Sequence, residues 1–228
     1  MLARDPLPLL TALFVILIAV FAYAAQRLEL AVYALSFWHY LVYALAFLWR
    51  AIPHERFIRD SLILKCLSLA AFVLVLSMTI PNVLSLIVMA IGFTFNIAAA
   101  RALGKERTYY GYELAALPPK HITSFPYSLT AHPMLIGNML AYGGTLLDET
   151  FRQAWWPLGV LHVILNLLII LNEAYGSKSR SAGFIAATGG LGIGAALLLA
   201  GFSDVWPYTL AVVITSALFG YVIMRRYA

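Results

Sequence analysis

The segment Asn82–Ala100 has the sequence NVLSLIVMAIGFTFNIAAA and carries no charged side chain. At 1.5 Å per residue, a helix of this length spans about 29 Å, close to the hydrocarbon thickness of a bilayer, which is about 30 Å. The run is continuously apolar, whereas the strands of a membrane barrel alternate between apolar and polar residues. The segment therefore predicts a transmembrane α-helix.

The composition extends this interpretation to the whole chain. Of the 228 residues, 63% are hydrophobic and 11% are charged. Soluble domains carry about 25% charged residues, so this chain lacks the side chains that a water-exposed globular surface requires. A soluble enzyme, a disordered protein and a coiled coil are excluded, and an all-α, polytopic transmembrane helical bundle is predicted.

Eight apolar segments have the length of a membrane span or approach it. We treat residues 1–228 as a single integral-membrane domain, with spans one to four in 1–100, a loop and spans five and six in 101–180, and two further spans in 181–228. The predicted segments are Leu9–Ala25, Leu30–Trp49, Ser61–Ile80, Asn82–Ala100, His132–Leu147, Trp155–Asn172, Ser181–Phe202 and Val205–Met224.

Basic residues are unequally divided between the two sides of this topology. Thirteen of the fifteen Lys and Arg residues lie on the side that holds both termini and the loops after spans two, four and six. The other side has only Arg27 and Arg152. Because Lys and Arg are retained on the cytoplasmic side, both termini are predicted to be cytoplasmic. The basic side is expected to contact anionic lipid headgroups rather than nucleic acid.

Residues 101–131 form the longest predicted loop, which is cytoplasmic and rich in Arg, Lys, Tyr, Pro and Gly. A water-soluble cofactor or substrate is expected to be met mainly there. The residues alone leave open whether the loop is an interfacial segment at headgroup level or a ligand site. A second polar position, Asn172-Glu173, ends span six. Glu173 could pair with Lys178 or Arg180 there, or it could bind a ligand.

Three motifs in and after this loop resemble one family. They are Thr108-Tyr-Tyr-Gly111, Ile122-Thr123-Ser-Phe125-Pro126-Tyr127 and Pro133-Met134-x-x-Gly137. At this spacing they resemble the phospholipid N-methyltransferases, which methylate phosphatidylethanolamine towards phosphatidylcholine. The same ungapped alignment brings a family Gly-x-Gly stretch onto Ala90-Ile91-Gly92 and a family Glu-Glu pair onto Asn172-Glu173. The resemblance covers predicted spans two to six.

The resemblance implies S-adenosylmethionine (SAM) as the cofactor. His132 and Glu173 are the candidate catalytic residues, and the group that accepts the proton of a substrate amine is left open between Glu173, His132 and the lipid phosphate. No metal site is predicted, because the five histidines lack a metal-ligand spacing. The candidate cofactor-binding residues are Ala90, Ile91, Gly92, Arg107, Thr108, Tyr109, His121, His132, Pro133, Gly137, Asn172 and Glu173.

The chemistry of these residues is compatible with SAM. Glu173 can accept hydrogen bonds from the ribose or the amino group, and Arg107 or His121 can meet the carboxylate. Pro133 suits the first turn of span five and leaves helix N–H groups directed at the loop. The glycines retained in the motifs are expected to let the backbone approach a flat ligand closely.

Three hypotheses for function follow. The first is a SAM-dependent methyltransferase that acts on a lipid amine, namely phosphatidylethanolamine or its mono- or dimethyl derivatives. The second replaces the acceptor by an isoprenylcysteine carboxylate or another small apolar substrate, because His132-Pro133 also resembles the His-Pro motif of the isoprenylcysteine carboxyl methyltransferases. The third is a membrane transporter or assembly protein without this activity, because Asn172 and Leu135 stand where the family has Glu and Tyr.

Polar residues within the spans have a structural interpretation. We expect His162 to be a packing residue and Asn96 and Asn166 to form hydrogen bonds between helices. The last two spans could cover a lateral face of the bundle or mediate homo-oligomerisation.

Overall fold

The computed structural model describes residues 7–48, 54–109, 117–118 and 120–175, and within these ranges the chain is helical and has no strand. The predicted spans seven and eight lie outside the described residues. The elements are α1 (Leu7–Ala24), α2 (Leu28–Leu48), α3 (His54–Met78), α4 (Val83–Leu103), α5 (Lys105–Thr108), α6 (Pro133–Gly144), a 3-10 turn (Thr145–Leu147) and α7 (Glu149–Tyr175).

Each of the first six predicted spans corresponds to a helix. Among the described residues, α3 and α4 are long and apolar enough to cross a bilayer, and α1 contains a shorter apolar stretch, Thr11–Ala24. The all-helical class is thus confirmed for the described part of the chain. The number of eight spans and the side of the termini stay predictions.

Two helices begin well before the apolar segments that predicted them. Helix α3 begins at His54, seven residues before Ser61, and α7 begins at Glu149, six residues before Trp155. The added turns contain several charged residues and so lie outside the apolar segments. Backbone hydrogen bonding does not depend on hydrophobicity, so these helices continue beyond their apolar runs.

The chain forms two compact units, residues 1–75 with 179–228 and residues 76–178. The described part of the first unit comprises α1, α2 and most of α3. The largest fully buried side chains of this part are aromatic, namely Tyr33, Phe37, Phe57 and Phe72.

Polar and aromatic contacts connect the helices of the first unit. Phe14 of α1 stacks on Trp38 of α2 with ring centroids 3.9 Å apart. The indole N–H of Trp38 donates to the Thr11 hydroxyl at 3.3 Å. The Ser68 hydroxyl of α3 donates to the carbonyl of Ser36 at 3.1 Å. These bonds satisfy polar atoms of partly or fully buried side chains.

The second unit contains α4, α5, α6 and α7, and two of its helix N-termini are joined by their caps. Asn82 caps α4, since its side-chain oxygen accepts the Ser85 N–H at 2.8 Å. Asp148 caps α7 in the same way, accepting the Phe151 N–H at 2.8 Å. The backbone N–H of Asn82 also donates to the second carboxylate oxygen of Asp148 at 3.0 Å. We call this end of the unit, with Asn82 and Asp148, the cap end.

The carboxylate of Asp148 is held in its charged form at the cap end. The Thr150 hydroxyl, the backbone N–H of Phe151 and the backbone N–H groups of Asn82 and Thr150 donate hydrogen bonds to it. Together they hold the pKa of Asp148 below its usual value of 3.8, against a smaller opposing effect of burial. A second bond runs from the Asn82 amide to the Leu147 carbonyl at 2.9 Å. Each of these helix N-termini therefore has at least one first-turn N–H group bound by the side chain of its cap residue.

Candidate functional site

Helices α4, α6 and α7 run antiparallel to their neighbours, and side-chain contacts fix their alignment. The Ser85 hydroxyl near the start of α4 donates to the carbonyl of Gly144 at the end of α6, at 2.8 Å. Asn96, further along α4, donates to the carbonyl of Met134 in the first turn of α6, at 2.9 Å. The end of α4 therefore lies beside the start of α6.

The last turns of α7 lie at the same end of the unit. The amide of Asn138 in α6 donates to the side-chain oxygen of Asn166 in α7 at 3.2 Å. Beyond this contact α7 continues towards Tyr175, while α6 runs back towards Pro133. We call the end that holds Leu103, Pro133 and Tyr175 the loop end, since the segment between α5 and α6 also connects there.

Glycines 92 and 137 bring the backbones of α4 and α6 together. A Cβ atom at Gly92 would lie 2.3 Å from the backbone nitrogen of Ala141, and one at Gly137 would lie 2.7 Å from that of Asn96. Contacts under 3.0 Å with backbone atoms leave no space for a side chain at either position. The structure thus gives both glycines a packing role, and their contact with a cofactor stays a prediction.

The motifs did not predict this packing role, although the sequence carries a signal for it. Gly137, Ala141 and Gly144 are spaced four and three residues apart, so they share one face of α6. Small residues at this spacing are typical of close helix pairs in membranes. The pattern could have predicted the α4–α6 interface.

The stretch Ala90-Ile91-Gly92 lies well away from the loop end. Gly92 is eleven residues before the end of α4 at Leu103, a separation of about 17 Å along the helix axis. The side chains of Ala90 and Ile91 are exposed on α4. The structure therefore does not bring this stretch together with the other predicted site residues, and its cofactor role stays a prediction.

A chain of asparagines crosses the three helices between Gly92 and the loop end. The Asn96 amide donates to the Asn138 side-chain oxygen at 2.9 Å, and the Asn138 amide donates in turn to Asn166. The Asn166 amide donates to the carbonyl of His162 at 2.7 Å. The imidazole of His162 is buried and stacks on the ring of Tyr142 with centroids 3.9 Å apart. The interhelical hydrogen bonds expected for Asn96 and Asn166 are present.

Residues Arg107, Thr108 and Tyr109 lie at the loop end in a sharp change of direction. Helix α4 stops at Gly104, whose φ of +85° disfavours other residues, and α5 follows at once. The Thr108 hydroxyl donates to the Gly104 carbonyl at 2.9 Å, and Tyr109 is buried. Arg107 donates to the carbonyl of Pro118 at 3.4 Å, which directs it along the loop.

His132 and Pro133 form the N-terminus of α6. Pro133 is buried in the first turn, as the sequence predicts, and His132 is half-buried at the cap position. No side-chain cap bond is formed there. The first-turn N–H groups of α6 therefore carry the positive end of the helix dipole without a side-chain acceptor. Thr130 approaches this turn, and its hydroxyl accepts the His132 N–H at 3.4 Å.

His121 lines an open cavity of about 420 Å³ at the loop end. The cavity lies between the last residue of α4, Leu103, and the segment that leads into α6. His121 itself is exposed. Thr130, which contacts the start of α6, lines the same cavity. His121 therefore lies near the start of α6.

Asn172 and Glu173 lie in the final turns of α7, and their side chains fall outside the described residues. Glu173 is seven residues beyond Asn166, or about 10 Å along α7. His132 is six residues before Asn138, or about 9 Å along α6. Because Asn138 contacts Asn166, the backbones at Glu173 and His132 reach a similar depth at the loop end.

Comparison with known proteins gives a match for the segment that contains these helices. Residues 80–176, a little under half of the chain, match the family model described as phospholipid methyltransferase. No curated protein and no solved structure gives a significant match to the chain. The matched segment covers α4 to α7 and thus both ends of the second unit. The family predicted from the motifs is confirmed over this segment: residues 80–176 match the phospholipid methyltransferase model.

Proposed function

We propose that the protein is a SAM-dependent methyltransferase of the membrane that transfers methyl groups to a lipid amine, phosphatidylethanolamine or its mono- or dimethyl derivatives. The family match over residues 80–176 is the observation that carries this proposal. The proposal includes eight membrane spans with both termini and the loop end facing the cytoplasm. Anionic headgroups would contact the basic loop, and spans seven and eight would be available for homo-oligomerisation.

The loop end fits the charges of the cofactor. The N-terminus of α6 offers backbone N–H groups without a side-chain cap, which suits the SAM carboxylate, and Arg107 or His121 adds a cation. A carboxylate at Glu173 would attract the sulfonium and accept hydrogen bonds from the amine or ribose. When bound, SAM supplies a methyl group on a positively charged sulfur that serves as the leaving group.

The chain's own contribution is positioning and proton acceptance. In the reaction the amine nitrogen forms a bond to the methyl carbon as the carbon–sulfur bond breaks, in line. A primary amine is mostly protonated at pH 7, so its proton must first be accepted by another group. His132 at the start of α6 and Glu173 in the last turns of α7 are the protein candidates, and the lipid phosphate is the third.

A labelled-methyl assay tests the proposal. Purified full-length protein is incubated with labelled SAM and vesicles of phosphatidylethanolamine, and SAM binding is measured by calorimetry. Label in the lipid fraction is expected. The variant Glu173→Gln should weaken SAM binding at least tenfold, whereas Glu149→Gln, at the opposite end of α7, should leave it unchanged. Absence of both label transfer and SAM binding would refute the proposal and favour a membrane transporter or assembly protein.

A second acceptor class is supported by the position of His132-Pro133. This pair resembles the His-Pro motif of the carboxyl methyltransferases and forms the start of α6 in the structure. An isoprenylcysteine carboxylate needs no deprotonation of an amine, so its methylation should persist at a lower pH than that of a lipid amine. Offering a prenylcysteine and phosphatidylethanolamine in one assay identifies the acceptor by the product formed.

A further inference from the structure

The cavity at the loop end is only partly accounted for by the predicted cofactor residues. Its volume of about 420 Å³ lies in the range of small-ligand sites. Of the predicted cofactor residues, His121 lines it, whereas Gly92 and Gly137 pack against neighbouring helix backbones. The cavity therefore has room for a ligand group that the cofactor assignment does not explain.

The polar residues that line the cavity suit a phosphate. Lys120 and His121 lie next to each other on its border, and the hydroxyls of Ser128 and Thr130 line it as well. An ammonium, an imidazole and hydroxyls are all able to donate hydrogen bonds to phosphate oxygens. The surrounding segment 101–131 carries four basic and two acidic side chains, so its net charge also attracts an anion.

Other lining residues of the cavity suit hydrocarbon, namely Leu103, Ile122 and Leu129. Leu129 is 69% exposed, and Phe125 in the same segment is 61% exposed while its ring meets that of Phe95 edge-on with centroids 5.9 Å apart. Large apolar side chains beside cationic ones are typical of a segment that lies at the membrane interface. A free phosphate would gain nothing from these apolar residues, whereas a phospholipid would.

We propose that the cavity bordered by Lys120, His121 and Leu129 binds the phosphate group of a membrane phospholipid. The acyl chains leave past Leu129 and Phe125 into the bilayer. This inference rests on the proposed function, since the bound phospholipid is the methyl acceptor. It assigns His121 to the lipid and leaves Arg107 and the N-terminus of α6 for the carboxylate of SAM.

The test measures lipid binding without methyl transfer. Full-length protein in detergent micelles is titrated with dihexanoyl phosphatidylethanolamine, and its Kd for SAM is measured in parallel. Lys120→Gln should raise the Kd for the lipid about three- to tenfold and leave the Kd for SAM unchanged. The matched control is Lys105→Gln, an exposed lysine on α5 outside the cavity lining, which should alter neither.

Competition distinguishes the sources of the phosphate. Glycerophosphoethanolamine and inorganic phosphate should displace the lipid only weakly, and Leu129→Ser should weaken binding of the lipid but not that of glycerophosphoethanolamine. Displacement by inorganic phosphate as effective as by the lipid itself would overturn the proposal in favour of a plain anion site. An effect of Lys120→Gln on SAM alone would overturn it in favour of the cofactor. Lipid binding through Lys120 with neither methyl transfer nor SAM binding would retain the phospholipid site, remove its role as the acceptor site and refute the proposed function.

Discussion

The cap end and the loop end of the second unit treat helix N-termini in opposite ways. At the cap end, Asn82 and Asp148 accept the first-turn N–H groups of α4 and α7 and also bond to each other. At the loop end, α6 begins at His132-Pro133 with no side-chain cap. The same three helices therefore present two N-termini with a side-chain cap at one end and one N-terminus without such a cap at the other.

This difference assigns helix stability to the cap end and ligand binding to the loop end. A side-chain cap contributes about 1 kcal/mol to helix stability, and a site that binds an anion must leave such donors unoccupied. The cap end has neither of the candidate catalytic residues, whereas His132 and the backbone of Glu173 lie at the loop end. We infer that the cap end maintains the helix alignment that the loop end uses.

The largest effect is expected from a substitution that separates α4 from α6, because both ends of the unit depend on their contact. Gly92→Val places side-chain atoms where the backbone of Ala141 already lies, 2.3 Å from a Cβ. Both helices would have to move apart, at a cost of about 3 kcal/mol, the upper end of the usual cost of overpacking. We expect little folded protein, measured as a lost or strongly lowered thermal transition in detergent. The control is Thr94→Val, which places the same valine side chain at an exposed position of α4. A Gly92→Val protein that melts like the control would contradict the close approach of the two helices.

A smaller effect is expected at the cap end. Asp148→Ala removes the cap of α7 and the acceptor of the Asn82 N–H together. The summed loss is about 2–4 kcal/mol, from one cap and one charge-assisted hydrogen bond. The melting temperature should fall by several degrees while the Kd for SAM stays the same. Glu149→Gln, exposed in the first turn of α7, is the matched control. Weakened SAM binding in Asp148→Ala without loss of stability would remove the division of roles between the two ends.

The same carboxylate predicts a pH dependence. Because hydrogen bonds from Thr150 and Phe151 hold the pKa of Asp148 below its usual value of 3.8, its stabilisation is complete above about pH 4. It is lost as the pH falls through the pKa of the folded state. The difference in melting temperature between the wild type and Asp148→Asn should thus be constant at pH 5–7 and shrink towards pH 2. A difference that is the same at pH 6 and pH 2 would show that the charged form of Asp148 does not stabilise the cap end.

The sequence was sufficient for the helices and the family but not for the alignment of the helices. Apolar runs predict helices because each run has the length of a span, and the motifs from Thr108 to Gly137 indicated the family that residues 80–176 match. The partner of each helix face depends on contacts between distant residues. A polar side chain within an apolar span indicates that Asn96 forms a hydrogen bond. Its acceptors, the Met134 carbonyl and the Asn138 side chain, depend on how α4 packs against α6.

The same limit explains why the predicted site was recovered only in part. Gly92, from the family alignment, and His121, from its chemistry, are among the same predicted cofactor residues, but neither argument gives their positions in the fold. In the structure, His121 borders the cavity, while Gly92 lies about 17 Å from the end of α4. The Asn82–Asp148 connection joins residues 66 apart in sequence, and neither residue has a local pattern that names the other.

The smallest effect is expected from a substitution that adds a side-chain cap at the loop end and so makes it resemble the cap end. His132→Ser places a hydroxyl at the cap position of α6, where it can accept a first-turn N–H and add about 0.5–1 kcal/mol of stability. The matched variant His132→Ala removes the imidazole without supplying a cap, so the pair isolates the effect of the acceptor. His132→Ser should melt at a slightly higher temperature than His132→Ala and bind SAM more weakly, because its hydroxyl competes with the cofactor carboxylate for the same donors. If the two variants bind SAM equally, the open N-terminus of α6 does not hold that carboxylate. Arg107 is then the remaining candidate for binding the carboxylate of SAM.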